Sequence, residues 1–145
     1  MKKLLLSLIL ITLNALSSFG QLKISHEKFS LRIASCFESD TLDITINGKE
    51  LVKNVIVTSD FSTSITDLAI YQDAAGLWVL HKNERTKQER LEMSKMIKID
   101  IRINGVLTSK NINLKKGWIL MLDNCMGETA RVVKVTQHKK TVILE

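Results

Sequence analysis

Between Met96 and Asn104 the side chains repeat with a period of two: Ile97, Ile99, Ile101 and Ile103 fall on one side, and Lys98, Asp100 and Arg102 on the other. That period fits an extended strand with one buried face, because a helix would scatter the four isoleucines around its axis. Asn104-Gly105 closes the run, and the same arrangement stands 57 residues earlier. There Asp43-Ile44-Thr45-Ile46-Asn47-Gly48 precedes Lys53-Asn54-Val55, matching Asp100-Ile101-Arg102-Ile103-Asn104-Gly105 ahead of Lys110-Asn111-Ile112. Seven of the fifteen positions from Asp43 to Val57 are identical in the two copies. Both central residues of a type I′ turn need positive φ, which Asn and Gly tolerate best, so each copy predicts a β-hairpin. The constant offset predicts two pseudo-repeated halves, each giving one hairpin to a sandwich; independent arrival at the same hairpin chemistry is the alternative.

Pairing across these turns exposes a conflict. A two-residue loop at Asn47-Gly48 sets Ile44 opposite Leu51 but Leu42 opposite Lys53, and the second copy sets Ile99 opposite Lys110. A lysine then points to the apolar side in both hairpins. A bulge at Lys-Asn that resets the register is the expected solution, with a rim position from which the ammonium reaches water as the other.

Short alternating runs bounded by turn residues give further strands near 28–34, 41–47, 50–58, 67–72, 76–82, 87–92, 107–114, 117–123, 130–137 and 140–144. No helical stripe exceeds two turns. About ten short strands predict an all-β chain folded as an antiparallel β-sandwich, immunoglobulin-like or related, with a small β-barrel as the alternative. With no proline in the chain, charged residues such as Lys110 and Lys134 are the expected guards of edge strands.

The start of the chain speaks to compartment. Lys2 and Lys3, the apolar run Leu4 to Leu13 and the small residues at Ser18-Phe19-Gly20 follow the plan of a secretory signal peptide over 1–20, cleaved after Gly20. The run is about half of the roughly 20 apolar residues a membrane span needs, and no later stretch is longer, so no transmembrane segment is expected. A loose mature N-terminus (21–28) and a single all-β domain (29–145) would follow, secreted or periplasmic. Two cysteines, Cys36 and Cys125, read in that setting as one disulfide.

The formal net charge of +6 hides an asymmetry: residues 37–81 carry seven acids against Lys49 and Lys53, while residues 82–145 carry fourteen bases against seven acids. Such a split suits an acidic and a basic face, a polyanion-binding surface, or two sheets that attract each other. Catalytic signatures are missing: there is no Gly-x-Ser-x-Gly, His-Glu-x-x-His, Walker loop or Gly-x-Gly-x-x-Gly. His26, His81 and His138 are scattered and read as solvated loop or strand-end residues, and no paired Cys/His spacing predicts a metal or other cofactor. Glu38-Ser39-Asp40 with Asp60 could surround calcium, against the ordinary reading of acidic turns.

In a chain with two tryptophans, Trp78 and Trp118 each follow a glycine turn near a strand start. Such a residue is a stacking platform or a core plug, and core packing is the commoner role in a sandwich. One binding surface is expected: Lys115, Lys116 and Trp118, joined by Arg131, Lys134, Lys139 and Lys140 if their strands are neighbours. A basic patch beside an aromatic suits a protein, a glycan or an envelope polyanion, and nucleic acid is not expected for an exported chain. The sequence thus predicts an exported, non-catalytic binding module. A small secreted hydrolase or hydrolase inhibitor with a loop-assembled site, and a structural subunit that donates or accepts a strand, are the alternatives.

Overall fold

The structure, a computed structural model, describes residues 29–140. The segments expected as signal peptide and loose N-terminus, His26, and all but the first residue of the strand expected over 140–144 lie outside the described residues. The described chain is all-β, with ten strands: β1 (Phe29–Ile33), β2 (Asp40–Ile46), β3 (Lys49–Val57), β4 (Ala69–Gln72), β5 (Leu77–His81), β6 (Glu84–Gln88), β7 (Met96–Ile103), β8 (Val106–Asn113), β9 (Ile119–Met126) and β10 (Arg131–His138). They form a six-stranded sheet ordered β10-β9-β1-β4-β5-β6 and a four-stranded sheet ordered β3-β2-β7-β8. All neighbours run antiparallel except β1 and β9, which are parallel. Neither sheet closes on itself, so the barrel alternative does not apply.

The inner faces share one core. Leu42, Ile44 and Ile46 of β2 and the four isoleucines of β7 belong to the same buried cluster as Leu31, Ile33, Ile70, Leu120 and Leu122 of the larger sheet. The alternation that predicted β7 therefore marks a half-buried strand. Burying these β-branched and leucine side chains supplies the main stabilisation, about 1.5–3 kcal/mol for each side chain.

Both Asn-Gly hairpins are present, with φ of 50° and 81° at Asn47 and Gly48 and 48° and 86° at Asn104 and Gly105. They lie side by side, with β2 and β7 antiparallel about the pair Ile44↔Ile101, which are equivalent positions of the repeat. This is a local two-fold axis. Asn47 exchanges two hydrogen bonds of 2.9 Å with the backbone of Lys98, one through its N–H and one through its Oδ1. Asn104 makes the same two bonds, also of 2.9 Å, with Thr41, the equivalent of Lys98. The asparagines thus tolerate positive φ and also lock the two hairpins together.

The larger sheet follows the same axis. β4 and β9 flank β1 and run antiparallel to each other, with β5 and β10 outside them. One half comprises β2–β5 and the other β7–β10, while β1 occupies the axis and β6 extends one edge. Each half contributes strands to both sheets, and β6 of the basic segment lies beside β5 of the acidic one, so the sequence's charge asymmetry does not separate one sheet from the other. The reading in which two oppositely charged sheets attract each other is corrected accordingly.

The lysine conflict is resolved differently in each hairpin. In the first, the register shifts twice, between Thr45↔Glu50 and Ile44↔Val52, so that Ile44 faces Val52 and not Leu51, and again between Ile44↔Val52 and Leu42↔Val55. Asn54 there adopts φ of 51° and donates its N–H to Asp43 Oδ1 at 2.6 Å, which is the expected bulge. In the second, pairing runs without a shift and Ile99 faces Lys110, a half-buried residue of edge strand β8. Asp100, the equivalent of Asp43, meets the Ser109 hydroxyl and Lys98 at its Oδ1 and caps no backbone amide of β8. Lys110 takes the rim solution instead.

A third hairpin joins β5 and β6 through Lys82 and Asn83, at φ of 50° and 65°. The strand expected over 87–92 therefore lies earlier, at Glu84–Gln88. Cys36 and Cys125 form a disulfide.

Candidate binding face

Residues directly opposite each other on neighbouring strands share a face, so the registers build the outer surface of the six-stranded sheet row by row. One row crosses all six strands as His138, Ile119, Ser30, Tyr71, Trp78 and Lys87, with Ile119 and Ser30 buried between its two accessible ends. The next runs Thr136, Met121, Arg32, Ala69, Leu80 and Arg85. Lys134 begins a third, opposite Asp123. With strands about 4.8 Å apart, each full row is about 24 Å long. The face combines two aromatics with Arg32, Arg85, Lys87, Lys134 and His138.

It carries a cation–aromatic stack on β4–β6. The Arg85 guanidinium lies 3.6 Å from the centre of the Trp78 ring and 5.2 Å from that of Tyr71, and the Lys87 ammonium is 5.5 Å from the Trp78 ring. Aromatic faces are electron-rich and attract cations, so the rings hold the guanidinium in place. Asp73 anchors the other side: its Oδ1 accepts from the N–H groups of Ala75 and Gly76, at 2.8 and 3.0 Å, and from the Trp78 indole at 3.4 Å. Burial pushes the Asp73 carboxyl up, but these donors and the Arg85 charge outweigh it and hold it below the usual value. Beside the stack a shallow cavity of about 290 Å³ opens over Ala69 and Leu80, between Arg32, Tyr71 and Asn83.

The residues expected to form one basic patch divide into three groups. Lys115, Lys116 and Trp118 lie where the β8–β9 turn meets the end of β10, with Lys139 and Lys140 directly beyond that end. Gln137 ties these segments by donating from Nε2 to the carbonyls of Asn113 and Gly117, at 3.0 and 2.9 Å. Gly117 approaches so closely that a Cβ there would sit 2.7 Å from the backbone N of His138. This group adjoins the His138 end of the long row. Lys134 stands mid-strand on the outer face.

Arg131 is elsewhere, about 23 Å along β10 from His138. Its guanidinium reaches Asp40 at 3.0 Å and Glu38 at 2.7 Å, bracing the end of the sandwich near the disulfide. Asp40, 4% exposed at its side chain, also accepts from Asn104 Nδ2 at 2.6 Å and from Glu38 N–H at 3.0 Å. Arg131 is thus withdrawn from the patch by its ion pairs. The same pairs occupy the acids considered as calcium ligands, and Asp60 serves its own loop by accepting from Ser62 and Thr63.

Neither tryptophan is a core plug. Trp118 is 38% exposed, and Trp78 lies half-buried under its cations on the outer face. His81 closes β5 with its Nε2 buried and unpartnered, 3.9 Å from Asp67, which is too far for a hydrogen bond. Compared with known protein families, curated proteins and solved structures, the chain matches none. Function must therefore be argued from the face itself. Sequence reasoning passed over Arg32, Tyr71, Arg85 and Lys87 as site residues; Leu77, Trp78, Val79 and Leu80 are all apolar, so no local alternation marked which of them faces outward.

Proposed function

We propose that this chain is an exported, non-catalytic β-sandwich that binds an anionic polysaccharide at or beyond the cell envelope, using the outer face of the six-stranded sheet. The observation that carries the reading is the Lys87–Trp78–Arg85–Tyr71 stack, aligned by register with His138, at whose end of β10 the turn bearing Trp118 and its lysines is held. Cations spread along a rigid sheet match an extended polymer with repeated carboxylates or sulfates better than a single small anion. Because Arg85 covers Trp78, that ring orients a charge, while the exposed Trp118 is available to stack on a sugar. Export is supported by the leader-like plan of residues 1–20 and by the Cys36–Cys125 disulfide, a bond that persists in oxidising compartments.

The test is retention of the mature protein on immobilised dextran sulfate and polygalacturonate in a salt gradient. Arg85→Glu with Lys87→Glu, and separately Lys115→Glu with Lys116→Glu, should elute at lower salt, while Arg131→Ala should elute with the wild type. Equal elution of both charge-reversed proteins and the wild type would remove this face from consideration. Equal capture of single-stranded DNA by the same residues would show a general polyanion site and overturn the polysaccharide assignment.

A further inference from the structure

The two long sides of the sandwich are built differently, and the difference points to a second site along one edge, which meets the cationic face at Lys134. On one side the edge strands are β3 and β6. β3 is bent by its bulge at Asn54, and β6 exposes Glu84, Arg85 and Lys87 along its five residues. Both devices discourage another strand from pairing there. The opposite side ends in β8 and β10, each eight residues long and each paired with its inner neighbour without a register shift. The lysines expected as edge guards stand singly here, Lys110 on β8 and Lys134 on β10, and the edges also present Val106, Leu107 and Val132, 54–70% exposed. Between them a groove of about 700 Å³ is lined by Lys110, Ile112, Val133, Lys134 and Val135, and a contiguous hollow of about 440 Å³ continues past Thr108 to Val106. Val133 and Val135 pack against the core cluster and Ile112 belongs to it, so the groove opens onto the hydrophobic interior.

An edge strand carries unpaired N–H and C=O groups, and beside an apolar groove it fits a ligand with strand geometry. Charge selects the ligand. Lys110 and Lys134 stand at the mouth with one carboxylate, Asp123, which lies opposite Lys134 and accepts from the Ser35 N–H at 3.0 Å, so the lining keeps an excess of positive charge. Pairing β10 with β10 of a second copy would bring together two strands that each carry Lys134, and like charges facing each other destabilise a strand pair. An acidic strand suffers no such penalty. We infer that the β8/β10 side accepts an extended peptide segment of another protein, with apolar residues at alternate positions turned into the groove and carboxylates on the intervening positions or at the ends meeting Lys110 and Lys134. The peptide would add a strand at the sheet edge, its backbone providing affinity and its alternation fixing the register.

The probe is a fluorescein-labelled synthetic nonapeptide alternating valine with glutamate, threonine and serine, set against a scrambled peptide of the same composition. Fluorescence polarisation should show binding at least about tenfold tighter for the alternating peptide, since broken alternation turns apolar side chains out of the groove. Amide exchange should slow in Val106–Asn113 or Arg131–His138. Lys110→Glu should weaken binding about fivefold, the size of one partly exposed charge pair, and should favour a peptide carrying lysine in place of glutamate. Lys110→Gln, which keeps the stem, guards against a folding artefact. Arg85→Glu with Lys87→Glu should leave peptide binding unchanged, separating this site from the polysaccharide face. Absence of binding, equal binding of the scrambled peptide, or slowed exchange elsewhere would overturn the inference; slowed exchange at these edges that grows with protein concentration, without peptide, would replace the peptide by a second copy.

Discussion

Replacing Arg131 by Ala should destabilise the fold and leave polyanion binding intact, although the residue sits in the most basic third of the sequence. Its pair with Glu38 involves a carboxylate that is 79% exposed and contributes at most about 1 kcal/mol. The pair with Asp40, whose side chain is 4% exposed, is a charge-assisted hydrogen bond of the kind that contributes about 1.5–3 kcal/mol. Asp40 keeps Asn104 Nδ2 and the Glu38 N–H as donors, so the carboxylate is not orphaned and the larger penalty of an isolated buried charge does not apply. The expected loss is about 2–3 kcal/mol, equivalent to a fall in Tm of roughly 10 °C for a domain of this size. Differential scanning calorimetry on wild type, Arg131→Ala, Asp40→Asn and the double variant would measure it, with a coupling energy of about 1–2 kcal/mol expected from the cycle. A loss below about 0.5 kcal/mol, or a coupling near zero, would refute the assignment of Arg131 to a structural ion pair.

Other outcomes follow from the fold. Ile44→Ala and Ile101→Ala, at the two-fold axis and fully buried, should each cost about 2–5 kcal/mol in chemical denaturation, and similar values are expected because the sites are equivalent. Changing Cys36 and Cys125 together to serine opens a loop of 89 residues and should cost about 4–5 kcal/mol, measured as a lower urea midpoint. Asp60, held by Ser62 and Thr63, should titrate at about 2 in a carboxyl NMR experiment, against 3.8 in an unstructured chain. Because its folded value is depressed, its contribution to the 60–64 loop is complete above the unfolded value and is lost as pH falls through about 2. A normal titration near 3.8 would show that the loop does not hold Asp60 as described.

The parts of the fold legible in the sequence were those specified locally. Alternating isoleucines fix β7 and Asn-Gly fixes both turns, because face and turn conformation depend on residues adjacent in the chain. The β5–β6 hairpin was not legible as drawn: Lys82 and Asn83 adopt positive φ without a glycine, and Glu84–Gln88 has no apolar alternation, so this strand is placed by pairing with β5. The difference between the two lysine sites also lay beyond local reading, since the equivalent carboxylates meet different partners across the sheet: Asp43 the Asn54 N–H, Asp100 the Ser109 hydroxyl and Lys98. Site residues were the least legible. Tyr71, Trp78 and Lys87 become neighbours of Ser30 and His138 only through five strand pairings, and residues 131–140, compact in sequence, extend along a whole strand and past its end.

The central claim is that the outer face of the six-stranded sheet is the ligand surface, and backbone amide chemical-shift mapping during titration with oligogalacturonate tests it most directly. The account predicts salt-sensitive shifts confined to the rows through Arg32, Tyr71, Trp78, Arg85, Lys87 and His138 and to the Lys115–Trp118 turn. Shifts concentrated on the four-stranded sheet, or none at millimolar ligand and low salt, would contradict it.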